Sequence, residues 1–397
     1  MKNHRFFKSV VCASSNLRHK LPEQEGMVLI MIYLDNAATT KPCEEAIKAA
    51  SDTARECFGN VSSLHKMGIE AEKRLNSAKT AILKKLSADG EIFFTSGATE
   101  SNNTVLRGVC DAYRRRGNTV ITTAMEHPSV ARVCDYLEKQ GFNIVRLSPK
   151  DAFDNFEEYI AAAVNDDVIL VSCMAVNNET GYKIDTAKLY RLVKRKNKDT
   201  IVHIDGVQGF CKVPLKGDFI SLSAHKIHGL KGVGALYAAK GMRFSPLVYG
   251  GGQQKNLRPG TEPIEIISAF EAAVKAYPSN LSHYERLNAV LRDRLAQMAD
   301  VVINSPDISR GVPNILSFSV LGVRSEIMLH SLEEKQIYVS SGSACSKGKI
   351  SGVPDSFGID AKRADSTIRV SFCMENTEEQ INILADEIEA GIKRFRR

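Results

Sequence analysis

The sequence predicts an α/β fold, with a large domain built on a mainly parallel sheet between helices and a smaller α+β C-terminal domain. Three observations predict it. From Asp35 onward, short apolar runs alternate with amphipathic stretches whose apolar residues recur at three and four spacing, and strand and helix repeated in this way bury a parallel sheet under helices on both faces. After Gly260 the alternation gives way to a long helical stretch followed by a few short strands. No apolar run reaches the roughly 18 residues of a membrane span, so the sequence reads as soluble.

In order along the chain, residues 1–31 carry His4, Arg5, Lys8, Arg18, His19 and Lys20 around short apolar patches. Lys8 interrupts the stretch Phe6 to Ala13, and no small-residue cleavage site follows, which argues against a secretory signal. This segment is expected to be a disordered leader or an upstream mis-start, because Met27 and Met31 closely precede Ile32. Candidate strands are Glu91–Thr95, Thr119–Thr122, Asn143–Leu147, Val168–Cys173, Ile201–Asp205, Asp218–Ser221 and Gly234–Ala238. Helices are expected between them, over Leu64–Leu86, Ser101–Arg115, Ser129–Lys139 and Thr186–Lys196. A long helix is expected from Glu265 to about Ala299, then strands at Ile315–Val320, Ile337–Ser340 and Thr367–Phe372, and a last helix from Glu378. Residues 44–263 read as the large domain, and residues 32–43 with 264–397 as the small one.

Composition narrows the class further. Apolar residues make up 43% and charged residues 25%, with 27 Gly and 12 Pro, which excludes collagen-like, low-complexity and wholly disordered chains. The net charge is +7, of which the leader, with five Lys/Arg and two Glu, supplies +3. So mild an excess gives no argument for direct nucleic-acid binding. Nine cysteines lie scattered without a CxxC pair. That fits neither a disulfide framework nor a metal site, and indicates a reducing, cytoplasmic setting with mostly buried thiols.

Two strand ends carry the chemistry. Ile201–Asp205 ends in Asp205-Gly206-Val207-Gln208, and the next strand is followed by Ser223-Ala224-His225-Lys226. In a parallel sheet, ligands sit beyond the carboxyl ends of the strands, so an acid and an amine reach one rim. A third end runs from Thr95 into Ser96-Gly97-Ala98-Thr99, a small-residue turn opening a helix, which can hold a phosphate. Each feature alone reads as an ordinary cap or a solvated side chain. Together they fit pyridoxal phosphate, which needs a lysine for its imine, an acid on the pyridinium nitrogen and a phosphate cup. Cys345 stands apart from the other cysteines, in the small, polar, Gly-flanked stretch Ser340 to Lys349. Such a loop suits a nucleophile that must move in and out of a pocket, and Lys347 and Lys349 favour its thiolate.

These segments carry a resemblance. Asp35-Asn36-Ala37-Ala38-Thr39-Thr40, Thr95 to Asn102, Glu126-His127, Val176 to Gly181, His203 to Gln208, Ser223 to Lys226, Arg258 to Thr261 and Ser343-Ala344-Cys345 occur in the order seen in cysteine desulfurases of the NifS/IscS type. The resemblance runs from about Tyr33 to the end. It implies the fold type I architecture of pyridoxal-phosphate-dependent transferases, with the class V aminotransferases. It implies that Lys226 forms the imine and moves the substrate α-proton, that Asp205 pairs with the pyridinium nitrogen, and that His127 stacks on the ring as an acid/base. Gln208 and Asn178 resemble the contacts around the ring hydroxyl; Ala98, Thr99, Ser223 and His225 resemble the phosphate cup. Thr261 matches the residue that family dimers supply from the neighbouring subunit, which implies a homodimer. Arg369, with Asn36, resembles the site for the substrate carboxylate. Cys345 corresponds to the persulfide-forming cysteine.

The implied reaction takes sulfur from L-cysteine, leaves L-alanine, and hands the Cys345 persulfide to an acceptor protein. That acceptor is an iron–sulfur scaffold, where Cys345 could serve as a transient cluster ligand, or a tRNA-thiolation sulfurtransferase. The segment between Cys345 and Arg369 looks shorter than in the housekeeping enzymes, and the chain stops soon after its last helix without their docking extension. The same cofactor could serve a selenocysteine lyase or a transaminase, although a cysteine in a loop argues against the latter. A non-enzymatic sulfur carrier or RNA-binding module would leave Lys226 beside Asp205 unexplained.

Overall fold

The apolar runs of the first half become one seven-stranded sheet. The computed structural model describes residues 31–341, 344–345, 349–350 and 352–396, so the expected leader, Met31 apart, lies outside the described residues. After a short strand β1 (Ile32–Tyr33) come β2 (Gly90–Thr95), β3 (Thr119–Thr123), β4 (Asn143–Leu147), β5 (Val168–Met174), β6 (Ile201–Asp205), β7 (Phe219–Ser223) and β8 (Gly234–Ala239). The order across the sheet is β2-β8-β7-β6-β5-β3-β4. Strands β3 to β7 run parallel, and β8 runs antiparallel to both its neighbours, β2 and β7. β2 therefore points the same way as β7, so the carboxyl ends of β2, β3, β5, β6 and β7 all meet one edge.

Alternation along the strands loads both faces. Ile92 and Phe94 join a core with the helices Lys66–Leu86 and Ile264–Ala276, whereas Phe93 between them joins the helices Ala98–Tyr113 and Pro128–Lys139 on the other face. The helix Glu44–Glu56, which the spacing argument did not anticipate, packs on the first of these faces.

The second half forms a four-stranded antiparallel sheet. Its strands are β9 (Val301–Ile303), β10 (Ile315–Val320), β12 (Ser340–Ser341) and β15 (Thr367–Ser371), in the order β12-β15-β10-β9. β11 (Ile337–Tyr338) pairs in parallel with β1 instead, so the single strand expected over Ile337–Ser340 divides where its partner changes. A short antiparallel pair, β13 (Ala344–Cys345) with β14 (Lys349–Ile350), lies between β12 and β15 in sequence.

The long helix expected from Glu265 to about Ala299 is two helices, Ile264–Ala276 and Ser282–Ala296. Pro278 is the reason: it disfavours helical geometry at the residue before it, and Tyr277 is extended there at φ −64°, ψ 128°. The first helix, expected with the small domain, buries Ile264, Ile267 and Phe270 in the core of the seven-stranded sheet. The second buries Leu287, Leu291 and Leu295 against the four-stranded sheet, together with Ile381, Leu384 and Ile388 of the last helix, Glu378–Phe395.

Candidate active site

The shared edge of the large sheet opens into a cavity of about 640 Å³. β2 ends there in Thr95, and the next residues turn into the helix Ala98–Tyr113 with Gly97 at its cap. The turn is braced from within. Ser96 N–H donates to Glu100 Oε2 at 2.7 Å, and Glu100 Oε1 accepts from Arg258 Nε at 3.0 Å. Gly234, the first residue of β8, passes so close that a Cβ there would stand 2.7 Å from the Gly97 Cα, so this crossing requires glycine.

Asp205 ends β6 and is buried. Its Oδ1 accepts from Val207 N–H at 3.1 Å and its Oδ2 from Asn102 Nδ2 at 2.9 Å. Burial raises its carboxyl above the ordinary range, opposed by those two donors and by His127 and Lys226. His127 caps the helix Pro128–Lys139, and its Nδ1 accepts from Ser129 N–H at 3.1 Å. A neutral ring that accepts at Nδ1 carries its proton on Nε2, and burial lowers the His127 pKa below 6.5. Asn102 Nδ2 also donates to Ser129 Oγ at 2.9 Å, and Ser129 Oγ lies 2.8 Å from His127 Nδ1. One chain of hydrogen bonds thus joins Asp205 to His127.

Lys226 closes the one-turn helix Ala224–Lys226 after β7. Its Nζ donates to the carbonyls of Ala37 at 2.7 Å and Ala38 at 2.6 Å, so the ribbon that follows β1 forms its cradle. Burial, with the Arg369 and Lys212 cations acting the same way, pulls its amine down to about 7. Gln208 Nε2 shares the Ala37 carbonyl at 2.8 Å. His225 Nδ1 lies 3.1 Å from Thr39 Oγ1, and burial pulls that imidazole down to about 4.

Arg369, on β15, is 6% exposed and reaches the cavity from the four-stranded sheet. Its Nη1 donates to the Asn178 carbonyl at 2.9 Å, its Nη2 donates to Asp35 Oδ1 at 2.7 Å, and its buried Nε has no partner among the described residues.

Ten of the residues singled out from the sequence therefore line one cavity: Ala98, Thr99, His127, Asn178, Asp205, Gln208, Ser223, His225, Lys226 and Arg369. Three stand elsewhere. Asn36 does not line it, because its Nδ2 is spent on the carbonyl of Ser371 at 2.9 Å, holding β15 to the ribbon. Thr261 is exposed and outside the cavity of its own chain. The backbone of Cys345 pairs with Lys349, and its side chain lies outside what is described. Cys43, Cys110, Cys134, Cys173, Cys211 and Cys373 have their thiols pushed up, first by burial, which makes them poor nucleophiles.

Sequence reasoning gave no role to Asn102, Ser129 and Asp35: Ser129 itself lines the cavity, and the other two act on lining groups through hydrogen bonds. Asn102 was detectable in principle: it follows Ala98 by four residues and so shares its helix face.

A class-V aminotransferase family model matches residues 32–384. The chain belongs to that family. A cysteine desulfurase IscS of Clostridium botulinum (strain Kyoto / Type A2) is 35% identical over 380 residues, covering 92% of this chain and 95% of its own length. The putative cysteine desulfurase IscS 1 of Bacillus subtilis (strain 168) is 33% identical over 92% of this chain and 99% of its own. A solved structure titled "NIFS-LIKE PROTEIN" superposes with a TM-score of 0.84 at 36% identity, covering 92% of this chain and all of that one. Within the class-V aminotransferases, the chain is of the NifS/IscS cysteine desulfurase type.

Proposed function

We propose that this class-V family member takes the sulfur of L-cysteine onto Cys345 as a persulfide, releases L-alanine, and passes the sulfur to an acceptor protein. The single observation that carries the reading is the meeting of a buried carboxylate, Asp205, and a low-pKa amine, Lys226, from adjacent strand ends in one cavity. The family implies pyridoxal phosphate, and the residues fit it. The 16-residue helix Ala98–Tyr113 offers its first-turn N–H groups beside Ser223 and His225 for the phosphate. Asp205 would hold the ring nitrogen and Lys226 the aldehyde carbon, with Asn178 and Gln208 near the ring hydroxyl. When bound, pyridoxal phosphate acts as an electron sink for the substrate amine, which weakens the bond between the α-carbon and its proton.

The chain's own residues supply the rest. Arg369 binds the substrate carboxylate, which competes with Asp35 for the guanidinium. With its pKa near 7, Lys226 Nζ is unprotonated often enough to take the α-proton and return it. His127, neutral with its proton on Nε2, is a donor, and Asn102 couples its orientation to that of Asp205. The Cys345 thiolate attacks the substrate sulfur: the S–S bond forms as the C–S bond breaks, and the bonding pair leaves on carbon, which is then protonated. Thr261, exposed and apart from its own chain's cavity, suits a role in the cavity of a second copy, as a homodimer would give. No helix among the described residues is long and apolar enough to cross a membrane. We place the enzyme in the cytoplasm, with an iron–sulfur scaffold or a tRNA-thiolation sulfurtransferase as the acceptor.

The test is to incubate cofactor-loaded protein with L-cysteine, quantify alanine, and map the mass of one added sulfur atom by peptide mass spectrometry. Alanine release with the adduct on Cys345 is expected; Cys345→Ser should keep the cofactor absorbance and lose the adduct. An adduct confined to another cysteine would overturn the assignment, and faster alanine release from selenocysteine would move the chain to lyase chemistry.

A further inference from the structure

Lys212 has no part in the cavity lining, yet it touches the residue on which the reaction turns. It lies on the turn after β6, four residues beyond Gln208, whereas Lys226 lies on the turn after β7. The first turn is tightly wound: Phe210 N–H donates to the Gly206 carbonyl at 2.7 Å and Lys212 N–H to the Gly209 carbonyl at 2.8 Å. Cys211 adopts the left-handed region at φ 67°, a conformation costly for a residue with a Cβ and kept only where the surroundings require it. The side chain that follows reaches across to the next turn. Lys212 Nζ donates to the Lys226 carbonyl at 3.2 Å and stands 5.9 Å from the centre of the Tyr277 ring.

This cation has no carboxylate partner among the described residues. The titratable groups around it are Cys211, His228, Tyr277 and Lys226. Burial pulls its own amine down to about 8. A partly buried ammonium ion without a counter-ion is expensive, and solvated lysines are easy to arrange, so its retention under Lys226 calls for a use. Around Lys226 the charges are divided. Arg369 from β15 and Lys212 oppose its protonation, while Asp35 from the ribbon and Asp205 from β6 favour it. His225 on the same turn and His127 at the helix cap are held neutral by burial. Arg369 is already engaged by Asp35 and is the group that meets substrate. Lys212 is therefore the one of these cations whose field on Lys226 stays the same when the cavity fills.

We propose that Lys212 is a positioning residue for the reaction: tethered to the Lys226 carbonyl, its ammonium fixes the turn that carries Lys226 and keeps the Lys226 nitrogen free of a proton. This rests on the reading of Lys226 as the lysine joined to the cofactor. The test is an absorbance titration of the imine in protein loaded with pyridoxal phosphate, comparing the wild type with Lys212→Met, Lys212→Gln and Lys212→Arg. Lys212 opposes protonation of Lys226, and loss of one such positive charge raises the proton affinity of the imine by about tenfold. Lys212→Met and Lys212→Gln should therefore titrate about one unit higher, and Lys212→Arg close to the wild type. The glutamine keeps a donor for the carbonyl, so it also serves if the methionine variant fails to fold. A wild-type titration in Lys212→Gln would overturn the proposal, as would an equal shift in Lys212→Arg. Absence of an imine band in the wild type would instead overturn the reading of Lys226 itself.

Discussion

Lys226 is made useful by what its amine lacks. Its Nζ has two carbonyl acceptors and, among the described residues, no ion pair, and burial with two nearby cations brings it to about 7. Below that pH the nitrogen is an ammonium ion and no nucleophile; above it the lone pair is free. Cofactor-free protein should therefore combine with pyridoxal phosphate at a rate that rises with pH through about 7 and then levels off, read from the growth of imine absorbance. A rate still climbing at the ordinary lysine pKa of 10.5 would show that the cavity does not act on the amine in this way. Lys226 and Asp205 were legible in the sequence because both sit at the ends of apolar runs, where the sheet edge follows directly from the pattern. Asp35 was not, because its partner Arg369 is 334 positions away and no local periodicity reports such a pair.

The turn from β3 to the helix Pro128–Lys139 carries both His127 and a buried acid. Glu126 Oε1 accepts from Thr123 Oγ1 at 2.5 Å and from Met174 N–H at 2.9 Å, which clamps this turn to β5, while its buried Oε2 has no partner among the described residues. Burial pushes its carboxyl up to about 8, so it is protonated at neutral pH. The unfolded chain loses that proton near 4.5 and the folded chain near 8. Over this window the folded state holds more protons, and stability falls as pH rises. Glu126→Gln, which imitates the protonated acid, should fold, retain desulfuration, and remove that decline, as followed by urea midpoints across the window. An unchanged slope in the variant would exclude Glu126 as its source. Helices and strands with a clean apolar period were read from the sequence nearly to the residue. Besides the unanticipated helix Glu44–Glu56 and the divided strand at Ile337–Ser340, the stretch around Pro278 was misread as one helix, since the helices on either side keep apolar residues at the same spacing while burying them in different cores.

At the scale of the whole molecule, the two sheets are joined by polar contacts as well as apolar ones. Glu157, wholly buried on the helix Phe156–Ala162, receives Arg310 Nη1 at 2.8 and 3.0 Å. The Arg310 carbonyl accepts from Lys183 N–H at 2.8 Å, and Ser305 Oγ donates to the Thr180 carbonyl at 2.6 Å. Removing one partner of a buried pair strands the other charge, so Arg310→Met should cost about 3 kcal/mol in denaturant unfolding. A loss below about 1 kcal/mol would mean that Lys188, 3.9 Å away, and Asp185 N–H compensate Glu157 by themselves. The ribbon that follows β1 has a different kind of consequence. It lends Lys226 two carbonyls and Asn36 to β15, yet Lys226 lies at least 188 positions away and the β15 partners at least 334. Contacts that close such long loops form late, and Arg369 cannot arrive until β15 has been made. During synthesis, a ribosome-bound chain that has built Lys226 and Asp205 still lacks the arginine proposed to bind the substrate carboxylate. On the proposed role of Arg369, cysteine chemistry therefore waits until translation is nearly complete.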